Sequence, residues 1–163
     1  MSIIPSQRHL FDVPPDVGYF NCAYYSPQLN ESRDRLLAGV RGKSWPWERL
    51  PPSFFEDADS IRGLGSRIFG GDSSGYAVIP AASYGLSTAA RAVEPHLKPG
   101  DRILVIKDEF PSNVLPWRRT AHETGAGIVT VPIPEDGNWT AAILNGIDKN
   151  VRVVAVSTCH WTN

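Results

Sequence analysis

From residue 75 onward the sequence alternates between short apolar runs and longer amphipathic stretches, and this pattern limits the possible folds more than any other feature. The apolar runs are hydrophobic at consecutive positions, as in strands buried on both faces of a parallel sheet. Strands that alternate regularly with helices form a doubly wound α/β sheet. We therefore predict a doubly wound, mainly parallel sheet with flanking helices. The predicted strands are "GYAVIP", "DRILVI", "GIVTVPI" and "VRVVAVS".

The residues before this alternation predict two helices in a largely irregular region. The first helix begins after Asn30, whose side chain is a candidate N-cap. The second covers "SFFEDADSIRGLGSRIFG", with Ser53 as a candidate N-cap and Glu56 three residues later, and a pair of glycines at 70–71 ends it. We divide the chain into an irregular N-terminal segment with one helix, residues 1–52, and an α/β part, residues 53–163.

The last predicted strand, residues 151–157, is followed by no predicted helix. We therefore expect the α/β part to be truncated at its C-terminal side. An apolar strand with an open edge pairs readily with another strand. The expected partner is the remainder of the same polypeptide or a second chain, and we expect the isolated chain to associate instead of remaining monodisperse.

Composition excludes several partners. Lys and Arg total 16 and Asp and Glu total 17, for a net charge of -1, so no strong field attracts nucleic acid or an anionic membrane. No targeting signal and no run of about 20 apolar residues is visible, which favours a soluble cytoplasmic protein. Cys22 and Cys159 lie far apart and lack the spacing of a metal site. We expect no metal and interpret both cysteines as buried thiols.

The stretch "AASYGLSTAARAV" joins the first predicted strand to a helix that begins with small and hydroxyl-bearing residues. The unpaired N–H groups of a helix's first turn, with the positive end of its dipole, bind phosphate well. Ser83 and Tyr84 add hydroxyl donors there. Ser83 as a simple N-cap explains the same pattern. The chain has no G-x-G-x-x-G and no Walker lysine motif, so no dinucleotide or nucleoside triphosphate is indicated.

Four segments in order resemble the class V aminotransferase family of pyridoxal-phosphate enzymes, which includes kynureninases, cysteine desulfurases and isopenicillin-N-epimerase-like proteins. The resemblance spans residues 19–163 and implies part of the large domain of a fold-type-I enzyme. It also implies pyridoxal 5′-phosphate as cofactor and a homodimer as the assembly. The four segments are "YFNCAYYSP", "AASYGLSTAA", "DEFPSNVLPW" and "VVAVSTCHWTN".

The resemblance implies roles for individual residues. The loop at Ser83 and Tyr84 corresponds to the one that holds the cofactor's phosphate. Phe110 takes the place of the ring that stacks on the pyridine, and a core aromatic is the alternative interpretation. Asn113 corresponds to a residue near the cofactor or a substrate carboxylate. Asn21 lies in a segment that family members place near the substrate.

The segment "STCHWTN" matches the stretch that contacts the phenolic oxygen of the pyridine in this family. Trp161 aligns best with that contact through its indole N–H, and His160 is the alternative one position earlier. Either residue is equally interpretable as an ordinary rim residue at a strand end. Several desulfurases carry histidine where this chain has Phe110. A phenyl ring stacks but exchanges no proton, so this departure favours a kynureninase-like or epimerase-like protein over a desulfurase.

The four lysines of the chain match none of the family's cofactor-linking motifs, and we interpret them as ordinary exposed residues. The resemblance therefore implies the N-terminal portion of an enzyme that acts on an amino acid or amine by aminotransferase, lyase or epimerase chemistry. The alternatives are a stand-alone α/β domain that binds a phosphorylated ligand without catalysis, and a non-catalytic relative that associates with proteins. The lysines are Lys43, Lys98, Lys107 and Lys149.

Overall fold

The structure, a computed structural model, describes residues 4–22 and 24–162; Asn163 lies outside the described residues. The chain separates into two compact units, Met1–Ser73 and Ser74–Asn163. The sequence analysis places the domain boundary after residue 52 instead, and that division stays a prediction.

The first unit contains two α-helices and irregular chain. Helix α1 covers Asn30–Gly42 and helix α2 covers Ser53–Phe69. An isolated antiparallel bridge joins Phe11 to Leu29, which brings the irregular chain back to the start of α1. Both helices lie where the sequence predicts them, because each has a continuous run of helix-compatible residues between turn-forming segments.

Both predicted N-caps are wrong by one position. Asn30 is already the first helical residue, and its Oδ1 accepts a hydrogen bond from Arg33 Nη1 at 3.3 Å instead of capping a backbone N–H. Ser53 is likewise helical, and its hydroxyl donates to the Leu50 carbonyl at 2.7 Å. The turn of Pro51 and Pro52 supplies the acceptors for the first N–H groups of α2, so the chain needs no side-chain cap there. The predicted glycine stop is confirmed, since Gly70 follows α2 with a φ of 83°.

The second unit is a three-stranded parallel sheet with helices on both faces. Strand β1 lies in the centre, in the order β2-β1-β3, and both of its pairings are parallel. The parallel α/β fold predicted from the apolar runs is confirmed for these three strands. They are β1 (Arg102–Ile106), β2 (Gly127–Val131) and β3 (Val151–Ala155), and the helices are α3 (Ala82–Val93), α4 (Pro111–Thr124) and α5 (Trp139–Gly146).

The side chains of β1 alternate between two cores. Ile103 and Val105 pack with residues of α3 and α4, including Trp117, on one face. Leu104 and Ile106 pack on the opposite face, where α5 contributes its partly buried side chains. Burial on both faces explains why β1 is apolar at consecutive positions and why it occupies the centre of the sheet.

The predicted strand "GYAVIP" is wrong, because residues 76–80 form no strand in the structure. Val78 and Ile79 are substantially exposed. An apolar run becomes a strand only where a second backbone offers N–H and C=O groups opposite to it, and among the described residues none is paired with this run. The segment leads instead into Ala81, the N-cap position of α3, whose backbone is extended.

The prediction of buried thiols is also wrong, since Cys22 and Cys159 are both exposed. Each lies in a turn or bend instead of on the inner face of a helix or strand. Neither position is therefore covered by packed secondary structure. Within the part of the chain that the structure describes, no helix has the length and apolar character to cross a membrane.

Substitution of Gly146 by alanine is expected to destabilise the second unit by about 1 to 3 kcal/mol, because a Cβ there would lie 2.9 Å from Leu104 Cδ1 and 3.1 Å from Val131 Cγ2. The matched control is Gly63→Ala in α2, where a Cβ meets no atom within 4 Å. That control is expected to be neutral or stabilising. Urea unfolding of both variants measures the difference, and an unchanged midpoint for Gly146→Ala would contradict the tight packing.

Candidate functional site

The segments that follow β1 and β3 meet beyond the carboxyl ends of these strands, and we call this region the crevice. It is the usual ligand position in open α/β sheets. After β1 the chain turns sharply at Asp108, whose φ of 55° lies in the left-handed region. Asp adopts this conformation more readily than most residues. The next helix, α4, begins at Pro111 with Phe110 at the N-cap position. Proline suits the first helical position because it has no N–H to leave unpaired.

Glu109 is a buried carboxylate at the junction between β1 and α4. It is 8% exposed. Its Oε1 accepts the Phe110 N–H at 2.7 Å, and its Oε2 accepts the Asn113 side-chain amide at 3.3 Å and the Ser157 N–H at 3.2 Å. One carboxylate therefore joins the first turn of α4 to the chain that follows β3. Sequence reasoning missed this residue, although the three charged residues that directly follow the buried strand β1 are a signal of such a role.

Burial raises the pKa of Glu109, but the hydrogen bonds that its carboxylate accepts from Phe110, Ser157 and Asn113 lower it by more. The net result is a pKa below the ordinary value for glutamate. Hydrogen bonds to the charged form favour ionisation. The carboxylate is therefore ionised at neutral pH and acts as an acceptor.

Stability of the second unit is expected to fall with decreasing pH in part because of Glu109. A depressed folded-state pKa contributes stability that is fully present above the unfolded-state pKa and is lost as the pH falls through the folded-state pKa. The loss therefore begins near the ordinary glutamate pKa of about 4.3 and increases below it. Unfolding of Glu109→Gln and wild-type protein between pH 7 and acid measures this contribution. Parallel curves for the two proteins would contradict it.

Phe110 and Trp161 form an aromatic pair at the mouth of the crevice. Their ring centroids lie 5.7 Å apart with planes at 85°, an edge-to-face contact. Phe110 is 48% exposed and Trp161 is 59% exposed, so both rings retain accessible surface. The Trp161 indole N–H, for which the family resemblance implies a contact with the pyridine oxygen, donates here to the Asp108 carbonyl at 2.6 Å.

His160, the alternative to Trp161, lies deeper. It is buried, its ring stacks on Trp139 with centroids 5.4 Å apart, and its Nε2 lies 3.1 Å from the Lys107 carbonyl. Its Nδ1 lies 2.9 Å from the Thr162 hydroxyl. In this structure both ring nitrogens of His160 contact groups of the chain itself, so Trp161 is the more accessible of the two candidates.

The predicted phosphate-binding residues lie at the start of α3. Ala81 precedes the helix, and Ser83 is its second residue, so Ser83 is not the N-cap. Ser83 borders a surface depression of about 350 Å³ together with residues of the first turns of α4. Tyr84 is on the same turn of α3 and is largely exposed. The start of α3 therefore lies close to the start of α4; the lining residues of the depression are Ser83, Ser87, Pro111, Ser112, Leu115, Pro116 and Arg119.

The Ser157 hydroxyl is buried beside the carboxylate of Glu109 and helps to lower the pKa of Glu109. The backbone N–H of Ser157 donates to the same carboxylate at 3.2 Å. The surfaces that remain open to a ligand are the half-exposed ring of Phe110 and the depression where the first turns of α3 and α4 meet. An aromatic face beside helix N-termini fits a flat group that carries an anion.

Asn21 belongs to the first unit and is described there alone. It is exposed, and its backbone carbonyl accepts hydrogen bonds from the N–H groups of Tyr24 and Tyr25 at 3.2 and 3.1 Å. The structure therefore brings Phe110, Asn113 and Trp161 to one end of the sheet. Ser83 lies beside α4, the helix that contains Asn113. Asn21 is not among the residues brought together in the second unit.

Comparison with curated proteins finds partial matches to several bacterial enzymes. The chain is 32% identical over 62 residues to a cysteine desulfurase of Pectobacterium carotovorum, covering 37% of this chain and 15% of the relative. It is 34% identical over 84 residues to a probable cysteine desulfurase of Vibrio cholerae, covering 51% and 18% respectively. The matched parts thus span less than a fifth of either relative.

Solved structures match over more of the chain. The cysteine desulfurase CsdA of Escherichia coli aligns with a TM-score of 0.67 and 19% identity over 90% of this chain and 39% of its own. A mutant of the enzyme C-DES, with glycine covalently linked to its PLP cofactor, aligns with a TM-score of 0.78 and 18% identity over 96% of this chain and 42% of its own. At this identity the likeness shows the fold, which is that of the fold-type-I pyridoxal-phosphate enzymes.

The sequence profile of one protein family matches residues 61–163, which is more than half of the chain. The profile is described as Aminotransferase class-V. Its matched range includes all three strands of the sheet and the junction at Glu109 and Phe110. The chain therefore belongs to the class V aminotransferase family, whose members use pyridoxal phosphate.

Proposed function

We propose that this chain supplies the phosphate-holding and ring-stacking part of a pyridoxal-phosphate site in an enzyme that acts on an amino acid or another amine. The observation that carries the proposal is the half-exposed ring of Phe110 at the N-cap of α4, beyond the carboxyl end of the central strand. A flat cofactor bound at this end of the sheet needs such a ring against its face.

The phosphate is assigned to the first turn of α3. N–H groups at a helix N-terminus and the positive end of the helix dipole favour an anion there. The hydroxyls of Ser83 and Tyr84 provide two further donors. The depression beside Ser83 reaches the first turn of α4, which begins directly after Phe110. A phosphate bound at α3 and a pyridine ring stacked on Phe110 would therefore lie at the same end of the sheet.

The ring is assigned to the surface of Phe110. Asn113 lies one helical turn further along α4 and provides a side-chain amide, one N–H of which Glu109 accepts. Trp161 lies in edge-to-face contact with Phe110 and therefore borders the space where the pyridine ring would stack. For Trp161 to meet the pyridine's phenolic oxygen through its indole N–H, the bond to the Asp108 carbonyl must be released or shared.

When bound, pyridoxal phosphate supplies an electron sink for the bond that breaks in the amine substrate. The residues of this chain bind and orient that group. We assign Asn21 a role near the substrate, as the family resemblance implies. Which bond breaks depends on the orientation of the substrate, so aminotransferase, lyase and epimerase chemistry all remain within the proposal.

The subfamily is a separate question. The relatives described above carry the name cysteine desulfurase, and they match only a minor part of their own length. A phenyl ring at position 110 stacks but transfers no proton. We therefore propose a kynureninase-like or epimerase-like activity for the enzyme, with desulfuration as the alternative that the relatives' names support.

We propose a cytoplasmic homodimer in which the open edge of β3 also pairs with a further strand. Among the described residues the sheet order leaves β3 with one neighbour, β1. Helix α2 adds exposed apolar side chains at helical spacing, which favour association. These side chains are Phe54, Phe55, Ile61, Leu64, Ile68 and Phe69.

The decisive experiment measures pyridoxal 5′-phosphate on the protein as isolated from cells. Absorbance in the visible and covalent fixation by borohydride would show a cofactor linked to a lysine of the assembled enzyme. For this chain alone, equilibrium dialysis against pyridoxal 5′-phosphate tests reversible binding, with Ser83→Ala as the variant that should weaken it. Equal binding of pyridoxal 5′-phosphate and of phosphate alone would support the phosphorylated-ligand domain instead, and no binding of either would contradict both functions.

A further inference from the structure

The exposed ring of Phe110 needs something other than its own packing to hold it. Nearly half of the residue is accessible, and the one aromatic neighbour among the described residues, Trp161, is itself more than half exposed. A side chain in such surroundings keeps its place only if the backbone beneath it is held firmly. Asp108, two residues before Phe110, has a φ of 55°, which is a conformation that costs energy unless its surroundings maintain it.

We propose that Glu109 is a positioning residue that sets the places of Phe110 and Asn113 at the cofactor site. This inference rests on the proposed function. Glu109 itself is not assigned a contact with cofactor or substrate. It acts through Phe110 and Asn113, two of the three residues whose N–H groups it accepts.

The geometry of the three hydrogen bonds carries the proposal. Oε1 holds the backbone of Phe110 at 2.7 Å, directly at the N-cap of α4. Oε2 holds the amide of Asn113 at 3.3 Å and the backbone of Ser157 at 3.2 Å. The carboxylate therefore ties the stacking ring and the amide of α4 to the chain that leaves β3, the neighbour of β1 in the sheet.

An ionised carboxylate suits this position better than an amide of the same shape. All three partners are donors, and a carboxylate offers acceptors on both oxygens. A glutamine offers one oxygen and one NH₂ group, so at least one of the three donors would face another donor. Charge-assisted hydrogen bonds are also roughly twice as strong as neutral ones. Glu109→Gln thus changes the positioning with little change in volume.

Hydrogen exchange followed by mass spectrometry tests the positioning role in the absence of cofactor. The measurement is possible even if copies of the chain associate. In Glu109→Gln the amides of Phe110 and Ser157 are expected to exchange about tenfold faster, because each loses a charge-assisted bond. Amides of β1 and the middle of α4 should accelerate no more than the loss of unfolding free energy in this variant accounts for. The control Glu135→Gln removes one exposed carboxylate from the same unit and should change neither set.

Equal acceleration of the Phe110 and Ser157 amides and of β1, α4 and β3 would overturn the proposal, because it would mean that Glu109 only stabilises the unit as a whole. Unchanged exchange at Phe110 would overturn it as well. Glu109→Asp serves as a second variant in case the glutamine variant does not fold. It keeps the charge but is one methylene shorter, and it should likewise release the Phe110 amide while β1 stays protected.

A double-mutant cycle tests whether Glu109 affects cofactor binding through Phe110 and Asn113. The dissociation constant for pyridoxal 5′-phosphate is measured by dialysis for wild type, Glu109→Gln, the double variant Phe110→Ala/Asn113→Ala, and the triple variant. Glu109→Gln alone is expected to weaken binding about tenfold. In the background without the ring and the amide, the same change should cost less than about twofold.

Equal losses in the two backgrounds would overturn the role through Phe110 and Asn113. If the wild-type chain binds no pyridoxal 5′-phosphate, the proposed function fails, and the hydrogen-exchange result then decides the positioning role alone. Local acceleration at Phe110 and Ser157 would support it, and the other two exchange patterns would overturn it. The two failures are therefore distinguishable.

Discussion

Replacement of Phe110 by alanine is expected to weaken the binding of pyridoxal 5′-phosphate by about 1 to 3 kcal/mol, since the cofactor loses the apolar and π surface against its ring. This corresponds to roughly a 5- to 150-fold higher dissociation constant. Binding is measured by dialysis on the chain and by cofactor retention in the assembled enzyme. Phe110→Tyr keeps an aromatic face and should retain most of the affinity.

Two comparisons make this prediction specific. Phe110→Leu keeps apolar bulk without an aromatic face, so its affinity should lie between those of wild type and the alanine variant. Phe69→Ala removes an exposed phenylalanine from the first unit and should leave binding unchanged. Unchanged affinity in Phe110→Ala, with a lower unfolding midpoint, would assign Phe110 to the core and contradict the stacking role.

Replacement of Leu104 by alanine is expected to cost about 3 to 5 kcal/mol of stability in the second unit. Leu104 is completely buried in the middle of the central strand, where it packs with Ile106 and Val131 under α5. Removing its side chain leaves a cavity that neighbouring strands cannot fill without breaking their register. Because single domains commonly have stabilities of about 5 to 15 kcal/mol, this one change should remove a large part of the total.

The control for this prediction is Leu144→Ala on α5. Leu144 is 62% exposed, so the same chemical change should alter stability by about 0.5 kcal/mol or less. Urea unfolding, followed by circular dichroism, measures both variants. Equal losses for Leu104 and Leu144 would contradict the assignment of β1 to the centre of the core.

The elements of the second unit were predictable where the local sequence pattern and the tertiary packing favour the same secondary structure. The run that became β1 is apolar on both faces because helices cover both faces of the sheet. Helix α4 begins at Pro111, since proline fits the first helical turn. The residues 76–80 have an equally apolar sequence and still form no strand. Strand formation needs a partner backbone, and a single segment does not contain that information.

The candidate site was predictable in part for the same reason. Residues that follow a strand in a parallel sheet meet at one end of it, so the grouping of Phe110, Asn113 and Trp161 follows from their positions along the chain. The contacts of these residues do not follow from their positions along the chain. The Trp161 indole N–H donates to the Asp108 carbonyl, and His160 lies buried against Trp139. Which of two adjacent side chains points inward depends on how the chain turns after β3.

The amino-acid sequence by itself determined the parallel α/β architecture, through apolar runs that alternate with helical stretches. It also determined that an aromatic ring follows the run that became β1 and that small hydroxyl residues stand at the start of α3. Only the tertiary structure decided that Glu109 is buried and holds Phe110, Asn113 and Ser157 together. The physical reason is that Ser157, whose N–H donates to this carboxylate, lies 48 residues away along the chain and meets Glu109 only when β3 lies beside β1.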